Sequence, residues 1–144
     1  METVKISFDV ETSDSECPLG IEIWLDDIVL LTNNHVQETV SFSHDINDHD
    51  GEHELRIVML GKTSDHTIVD EAGNIVKDAI LQISNVVIDD IDVNQLFLDK
   101  CVYTHNFNGT QPEIQDTFHG IAGCNGNISL KFSTPIYLWL LENM

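Results

Sequence analysis

The sequence predicts one all-β domain over residues 1–144, an antiparallel β-sandwich of the jelly-roll type. Apolar and polar residues alternate with a period of two over most of the chain, as in strands that bury one face. Strand-like segments recur about every ten residues, and no long segment of helical period interrupts them. A chain of 144 residues is long enough for one domain with its own core and too short for two ordinary ones.

The first strand is predicted at residues 3–10. Val4, Ile6, Phe8 and Val10 alternate there with polar residues. This alternation indicates a strand with one face toward the core and the other toward solvent.

The next segments predict a hairpin and two further strands. Two apolar runs, 21–25 and 28–31, are separated only by a pair of aspartates, which indicates a two-residue turn. Residues 36–43 and 54–60 are predicted strands on either side of a polar loop at 45–51.

The second half of the chain continues the pattern. Residues 66–70 and 75–77 flank a Glu-Ala-Gly-Asn tetrapeptide, and Gly and Asn supply the positive φ that a tight hairpin turn needs. The segment 89–98 has room for a helical turn, and 108–127 is predicted to be mostly loop. The remaining predicted strands are residues 79–88, 101–107 and 128–132.

The C-terminal segment 135–141 is apolar at nearly every position. As a strand it would be apolar on both faces, whereas seven residues make a short helix. Two explanations follow for the strand. It fills the core beneath a covering loop, or its second face is covered by another subunit, which would make the chain a homo-oligomer through this strand.

The charge balance excludes several classes of partner. The chain has 25 Asp and Glu against 6 Lys and Arg, a formal net charge of −19. Nucleic-acid binding needs clustered cations, and the six cations here are scattered singly. We therefore expect no nucleic-acid partner, no anionic membrane partner and no membrane insertion, which leaves neutral ligands, divalent cations or protein surfaces.

The cysteines and the N-terminus indicate the compartment. Three cysteines without C-x-x-C spacing predict free thiols rather than a disulfide scaffold. The N-terminal residues lack the basic and apolar regions of a signal peptide. We expect a protein made in the cytoplasm.

Motifs of the common enzyme classes are absent from the sequence. It has no G-x-S-x-G elbow, H-E-x-x-H pair, P-loop or dinucleotide-binding glycine loop. His44, His49 and His53 lie within ten residues of one another, but their spacing matches no recurrent metal site. The sequence therefore predicts a protein that is not an enzyme.

Two sets of residues are candidates for ligand binding. Asp65, Asp70 and Asp78 flank the second predicted hairpin and are candidate calcium ligands, since calcium takes carboxylate and carbonyl oxygens from separate segments. Trp24 and Tyr103 are the candidate platforms for a sugar, with Trp139 as a further aromatic candidate, because a pyranose ring has an apolar face that stacks on an aromatic ring. The alternatives are acidity that serves solubility and aromatic rings that fill the core.

Three segments carry a resemblance to a known family. Residues 20–27, Gly-Ile-Glu-Ile-Trp-Leu-Asp-Asp, resemble the E-L-x-V-D-G strand and turn of calcium-dependent xylan-binding carbohydrate-binding modules. Residues 51–59 resemble their G-x-H-x-L-x-I-x-F strand, and residues 78–90 resemble their D-x-N-L-x-V-D-x-I-x-I-D-G segment. The resemblance implies a jelly-roll sandwich, a glycan partner, a non-catalytic binding role and calcium as the candidate cofactor.

The resemblance also has departures. In that family an Asn-Asp pair after the middle strand helps to hold calcium, and residues 60–62 (Leu-Gly-Lys) match it here, which places a cation where a carboxylate belongs. Asp78 matches the later calcium-binding Asp of the family. The last third of the chain has no counterpart in those modules and resembles small acidic proteins of marine tailed phages. That second resemblance implies the alternative function, a virion accessory or structural protein that self-assembles or binds a protein partner.

Overall fold

The computed structural model describes residues 3–63, 67–106 and 109–143. In these ranges the chain forms thirteen strands and two helices. The strands are β1 (Thr3–Thr12), β2 (Gly20–Leu25), β3 (Ile28–Asn33), β4 (Val40–Asn47), β5 (Gly51–Leu60), β6 (Thr67–Val69), β7 (Ile75–Asp78), β8 (Leu81–Ile88), β9 (Ile91–Asp92), β10 (Val102–His105), β11 (Ile114–Thr117), β12 (Ile121–Ala122) and β13 (Gly126–Thr134). The helices are α1 (Asn94–Lys100) and α2 (Ile136–Asn143).

The strands form two large sheets and one small hairpin. Sheet 1 has the order β12-β8-β1-β4, with β9 paired to β8, and sheet 2 has the order β11-β10-β13-β5-β2-β3. Strands β6 and β7 pair only with each other. The pairings between the described strands are antiparallel. The predicted all-β antiparallel sandwich is confirmed.

The core lies between the two sheets and follows the alternation in the sequence. On β1, Val4, Ile6, Phe8 and Val10 are all buried, as predicted. Phe8 faces Phe42 of β4 with 4.9 Å between ring centres. From sheet 2, the inward residues are Ile21 and Ile23 of β2, Leu55, Ile57 and Met59 of β5, and Ile128, Leu130 and Phe132 of β13.

Both predicted hairpins form. Asp26 and Asp27 join β2 to β3 with φ values of 50° and 68°, the left-handed region that a two-residue turn of the primed type requires. Strands β6 and β7 form the second hairpin, with Gly73 at φ 85° in its turn. Aspartate serves at the first turn because its short side chain tolerates positive φ better than most residues do.

Several predicted boundaries need correction. Strand β4 begins at Val40 and continues to Asn47, because its last residue still pairs with Thr3 at the start of β1. The predicted loop at 108–127 contains β11 and β12. The helical turn expected in 89–98 is α1, which runs on to Lys100.

The prediction of a C-terminal strand is wrong, because residues 136–143 form α2. Ile136, Trp139 and Leu140 are buried, and their i, i+3, i+4 spacing is that of one helix face. Trp139 packs edge-on against Phe132, with 6.2 Å between ring centres. The side chain of Asp48 accepts a hydrogen bond of 2.8 Å from the Ile136 N–H, one of the donors that the first turn leaves unpaired.

Helix α2 also changes the expectation about assembly. It contributes no strand edge, so the predicted oligomer contact through a C-terminal strand has no strand to use. Its outer side leaves Tyr137, Leu138 and Leu141 exposed. Among the described residues, neither helix has the length and apolarity needed to cross a bilayer.

All three cysteines lie in described segments, and none forms a disulfide there. Cys17 and Cys101 are buried in the core, and Cys124 is half-buried. Burial raises the pKa of each of the three thiols. The predicted free thiols are therefore packed, mostly neutral side chains.

Candidate functional site

The outer face of sheet 2 carries polar and aromatic side chains in fixed positions. The strand register places Trp24 beside Arg56 and Arg56 beside Ser129. The Arg56 guanidinium carbon lies 5.0 Å from the centre of the Trp24 ring, and the same group forms ion pairs with Asp27 at 3.0 Å and Glu54 at 3.5 Å. The Ser129 hydroxyl donates to the Glu54 carboxylate at 2.9 Å. These contacts hold the face in one arrangement.

Two adjoining depressions on this side of the protein share Glu54, Lys131 and Trp139. We call them together the Trp139 groove. The first has a volume of about 580 Å³ and is also lined by Asp26, Glu52, His53, Phe132 and Ser133. The second has a volume of about 390 Å³ and is also lined by Lys100, Val102, Thr104, Gln115, Asn127, Ser129 and Asn143.

The groove lies where β13, its neighbours and α2 meet. Gly126–Thr134 alternates inward apolar residues with the outward Asn127, Ser129 and Lys131. Strands β10 and β11 continue the same surface, because Thr104 pairs with both Asn127 and Gln115. Trp139 reaches this surface from α2, so the helix forms one wall of the groove.

At one end of the groove, Asp26, His53 and Thr134 form a hydrogen-bonded chain. His53 Nδ1 lies 2.5 Å from Asp26 Oδ2, and His53 Nε2 lies 3.1 Å from the Thr134 hydroxyl. Asp26 Oδ1 also accepts a hydrogen bond of 2.8 Å from the Glu54 N–H. The order acid, imidazole, hydroxyl is that of a nucleophilic triad.

The role of these three hydrogen-bonded residues is nevertheless structural. A nucleophilic hydroxyl must donate its proton to the imidazole and face the substrate. Thr134 is buried, at 4% exposure, and its hydroxyl donates to the carbonyl oxygen of His49. The three residues therefore connect the β2–β3 turn to the end of β13, and Thr134 is not available as a nucleophile.

The two predicted sugar-stacking residues lie in different environments. Trp24 is half-buried on the outer face of sheet 2, where one side of its ring is covered by Arg56 and its Nε1–H donates to Glu22 at 3.2 Å. It borders the surface that the Trp139 groove occupies, with β5 between them.

Tyr103 is a core residue, which contradicts its expected stacking role. It is 8% exposed, and its ring stacks on His105 and meets the edge of Phe118. Its hydroxyl donates to the Cys124 carbonyl oxygen and accepts from the Cys124 N–H at 3.0 Å. Burial raises the pKa of Tyr103 to about 12. No face of the ring is free for a sugar.

The predicted calcium ligands are not brought together. Asp65 lies outside the described residues. Asp70 lies at the turn of the β6–β7 hairpin, where its side chain accepts from the N–H groups of Ala72 and Asn74, both at 2.9 Å. Asp78 lies at the opposite end of the same hairpin, paired with Thr67.

Asp78 instead binds the ammonium group of Lys62. The Lys62 side chain is only 2% exposed, and its Nζ also donates to the Gly123 carbonyl oxygen at 2.6 Å. The Thr67 hydroxyl donates to the same Asp78 oxygen at 2.7 Å.

The oxygen atoms at Asp70 and Asp78 do not form a calcium site. Calcium needs six to eight oxygen ligands at one point, whereas the Asp78 carboxylate is already occupied by a cation and a hydroxyl. Within the described ranges, no three residues of the types His, Cys, Asp and Glu lie close enough together to hold a metal. The predicted calcium site at Asp70 and Asp78 is therefore not formed.

The polar residues of the groove were missed in the sequence. The alternation of residues 126–134 does predict that Asn127, Ser129 and Lys131 face outward, so the orientation of these three side chains could be read from the sequence. Their convergence with Gln115 and Trp139 depends on strand order and on α2, which no local pattern encodes.

No protein family model matches the chain, and no curated protein matches its sequence. Solved structures do share its fold. The selenomethionine form of vCBM60, from work that links two families of calcium-dependent carbohydrate-binding modules by circular permutation, superposes with a TM-score of 0.54 and 12% identity, covering 88% of this chain and 89% of that one. The vCBM60 complex with galactobiose superposes with a TM-score of 0.51 and 13% identity, covering 88% of this chain and 96% of that one. At this level of identity the likeness shows the fold alone: the chain has the β-sandwich fold of these carbohydrate-binding modules.

Proposed function

We propose that this chain is a non-catalytic carbohydrate-binding protein and that it holds a neutral glycan in the Trp139 groove. The observation that carries the proposal is the composition of the groove on this fold. Amide, hydroxyl, ammonium and carboxylate groups line a shallow surface that the edge of the largely buried Trp139 indole borders. Sugar hydroxyls need such donors and acceptors, and the edge of the indole adds a small apolar contact.

The charges in the groove favour a neutral ligand. Lys100 and Lys131 form no ion pair with the described residues, and the carboxylate of Glu54 is held by Ser129 and Arg56. The second depression is lined by two lysines and one glutamate and thus carries only a small positive charge, on a protein of net charge −19. A polyanionic glycan would be repelled by the rest of the molecule.

One acceptor in the groove lacks a partner. The Oδ1 atom of Asn127 is buried and has no hydrogen-bond partner within the described segments. A buried polar atom of this kind is costly unless something satisfies it. After a small adjustment of the Asn127 side chain, the hydroxyl of a bound sugar would supply the missing donor.

Calorimetric titration tests the proposal. The probes are galacto-oligosaccharides, because a protein of this fold binds galactobiose, and xylo-oligosaccharides, because the sequence resembles xylan-binding modules. We expect Asn127→Ala and Lys131→Ala to weaken binding about tenfold each, which corresponds to the loss of about 1.4 kcal/mol. Trp24→Ala reports whether the Trp24 ring extends the site.

Gln82→Ala and Lys5→Ala are the matched controls, since both residues are exposed on sheet 1. We expect these variants to bind as the unmodified protein does. Absence of binding to either class of oligosaccharide, or equal affinities for groove and control variants, would refute the proposal. The alternative of a self-assembling virion protein stays a prediction.

A further inference from the structure

The ammonium group of Lys62 occupies an oxygen-lined position inside the protein. The residue directly follows Gly61 at the end of β5, and its Nζ is bound by the Asp78 carboxylate and the Gly123 carbonyl oxygen. Its backbone is held as well, because the Lys62 N–H donates to Asn125 Oδ1 and the Asn125 Nδ2 donates to the Lys62 carbonyl oxygen, both at 2.8 Å.

This position joins segments that are far apart in sequence. Lys62 and Gly123 are 61 residues apart, and Lys62 and Asp78 are 16 apart. The ion pair therefore ties the end of β5 to the base of the β6–β7 hairpin and to the segment before β13. Bound cations commonly connect loops in this way, by drawing carboxylate and carbonyl oxygens to one centre.

Burying an ammonium group is costly unless its charge and its hydrogen-bond donors are satisfied. With 2% exposure, Lys62 does not extend to solvent as lysines usually do. The second oxygen partner at 2.6 Å and the hydroxyl of Thr67 on Asp78 complete a site that is built around a positive charge.

We propose that the Lys62 ammonium takes the place of a divalent cation in this sandwich, so that the chain keeps its loops in position without calcium. Solved structures that share this fold include calcium-dependent carbohydrate-binding modules, and in this chain the Asp78 carboxylate and the Gly123 carbonyl oxygen bind an internal ammonium group. The inference concerns the fold and does not depend on glycan binding.

Thermal melts of the unmodified protein provide the first test. We expect the same midpoint in calcium chloride and in a chelator at matched ionic strength, because the Lys62 ammonium already occupies the position beside Asp78. A ligand that binds only the native state at a hundred times its Kd would raise the midpoint by several degrees. A rise of that size in calcium would overturn the proposal.

Substitution of the cation provides the second test. Lys62→Met keeps the apolar stem and removes the charge, and we expect its midpoint to fall by about 10 °C, since the half-buried Asp78 carboxylate and the Gly123 carbonyl oxygen both lose their partner. Lys77→Met is the control on the same hairpin, because Lys77 is 57% exposed and pairs with Asp14 at the surface. We expect a fall of about 2 °C or less for the control. Equal midpoints for the two variants would contradict a special role for Lys62.

Lys62→Asp converts the internal cation into a second carboxylate beside Asp78. We expect this variant to have a low melting midpoint in chelator and a higher one in calcium. The unmodified protein should not show this response. A folded Lys62→Asp protein that melts identically in both buffers would count against the exchange of one cation for another. If the variant does not fold in either buffer, the two preceding measurements still decide the proposal.

Discussion

Replacing Thr134 by valine tests whether the Asp26–His53–Thr134 chain is structural. Valine has nearly the same shape as threonine, so the change removes the hydroxyl and little else. Three contacts disappear, of which the longest joins the hydroxyl to the Gly51 carbonyl oxygen at 3.5 Å. The carbonyl oxygen of His49 loses its donor, and His53 Nε2 loses its partner at 3.1 Å.

The magnitude follows from the burial of each group. Thr134 is 4% exposed, but His49 is an exposed residue, so water can replace part of the bond that its carbonyl oxygen loses, and this loss costs about 0.5–1.5 kcal/mol. The His53 side chain is 19% exposed, and water can replace part of its lost bond, which adds about 0.5–1 kcal/mol. We expect a loss of about 1–2.5 kcal/mol in the free energy of unfolding, which lowers the melting midpoint by about 3–9 °C.

Urea unfolding monitored by fluorescence measures the free energy directly, and a thermal melt checks it. Thr117→Val is the matched control, since Thr117 is an exposed residue on β11, and we expect its stability to change by about 0.5 kcal/mol or less. If Thr134→Val and Thr117→Val have the same free energy of unfolding, the Thr134 hydroxyl does not stabilise the fold. The assignment of its proton to the His49 carbonyl oxygen would then be wrong.

Two further predictions concern the β10–β13 region. Because burial raises the pKa of Tyr103 to about 12, above the ordinary tyrosine value of about 10, its contribution to stability is complete below pH 10 and is lost as the pH rises toward 12. Tyr103→Phe should remove this part of the alkaline loss, of about 1.4 kcal/mol per pKa unit, and identical pH profiles between pH 10 and 12 for the two proteins would contradict the assignment. Gly126→Ala should lower stability by about 1–3 kcal/mol, because its Cβ would lie 2.5 Å from the Thr104 carbonyl oxygen. Gly51→Ala is the control, with its nearest neighbour at 3.7 Å, and urea unfolding of both variants should separate them.

The strands of the sandwich could be predicted because the signal is local. Alternation along β1 and β13 specifies which side chains face the core, and the Asp26-Asp27 pair between two apolar runs specifies a turn. Each of these features depends on residues within a few positions of one another. The same locality explains the failure at residues 136–143, where a short apolar segment fits a strand or a helix until its neighbours are known.

The candidate site was predicted less well, because the chemistry of a side chain depends on its surroundings. Tyr103 looks like an available aromatic ring in the sequence and is a core residue in the structure. Asp78 looks like a metal ligand and is the counter-ion of Lys62. The residue types were identified, but their partners were not.

The sequence by itself determined the fold class, the inward and outward faces of the main strands and the strongly negative net charge. Only the tertiary structure decided that α2 forms a wall of the Trp139 groove, that His53 joins Asp26 to Thr134, and that an internal ammonium group lies where a metal ion was expected. The physical reason is distance along the chain. His53 and Thr134 are 81 residues apart, and such contacts arise from strand order and packing, which are properties of the whole molecule.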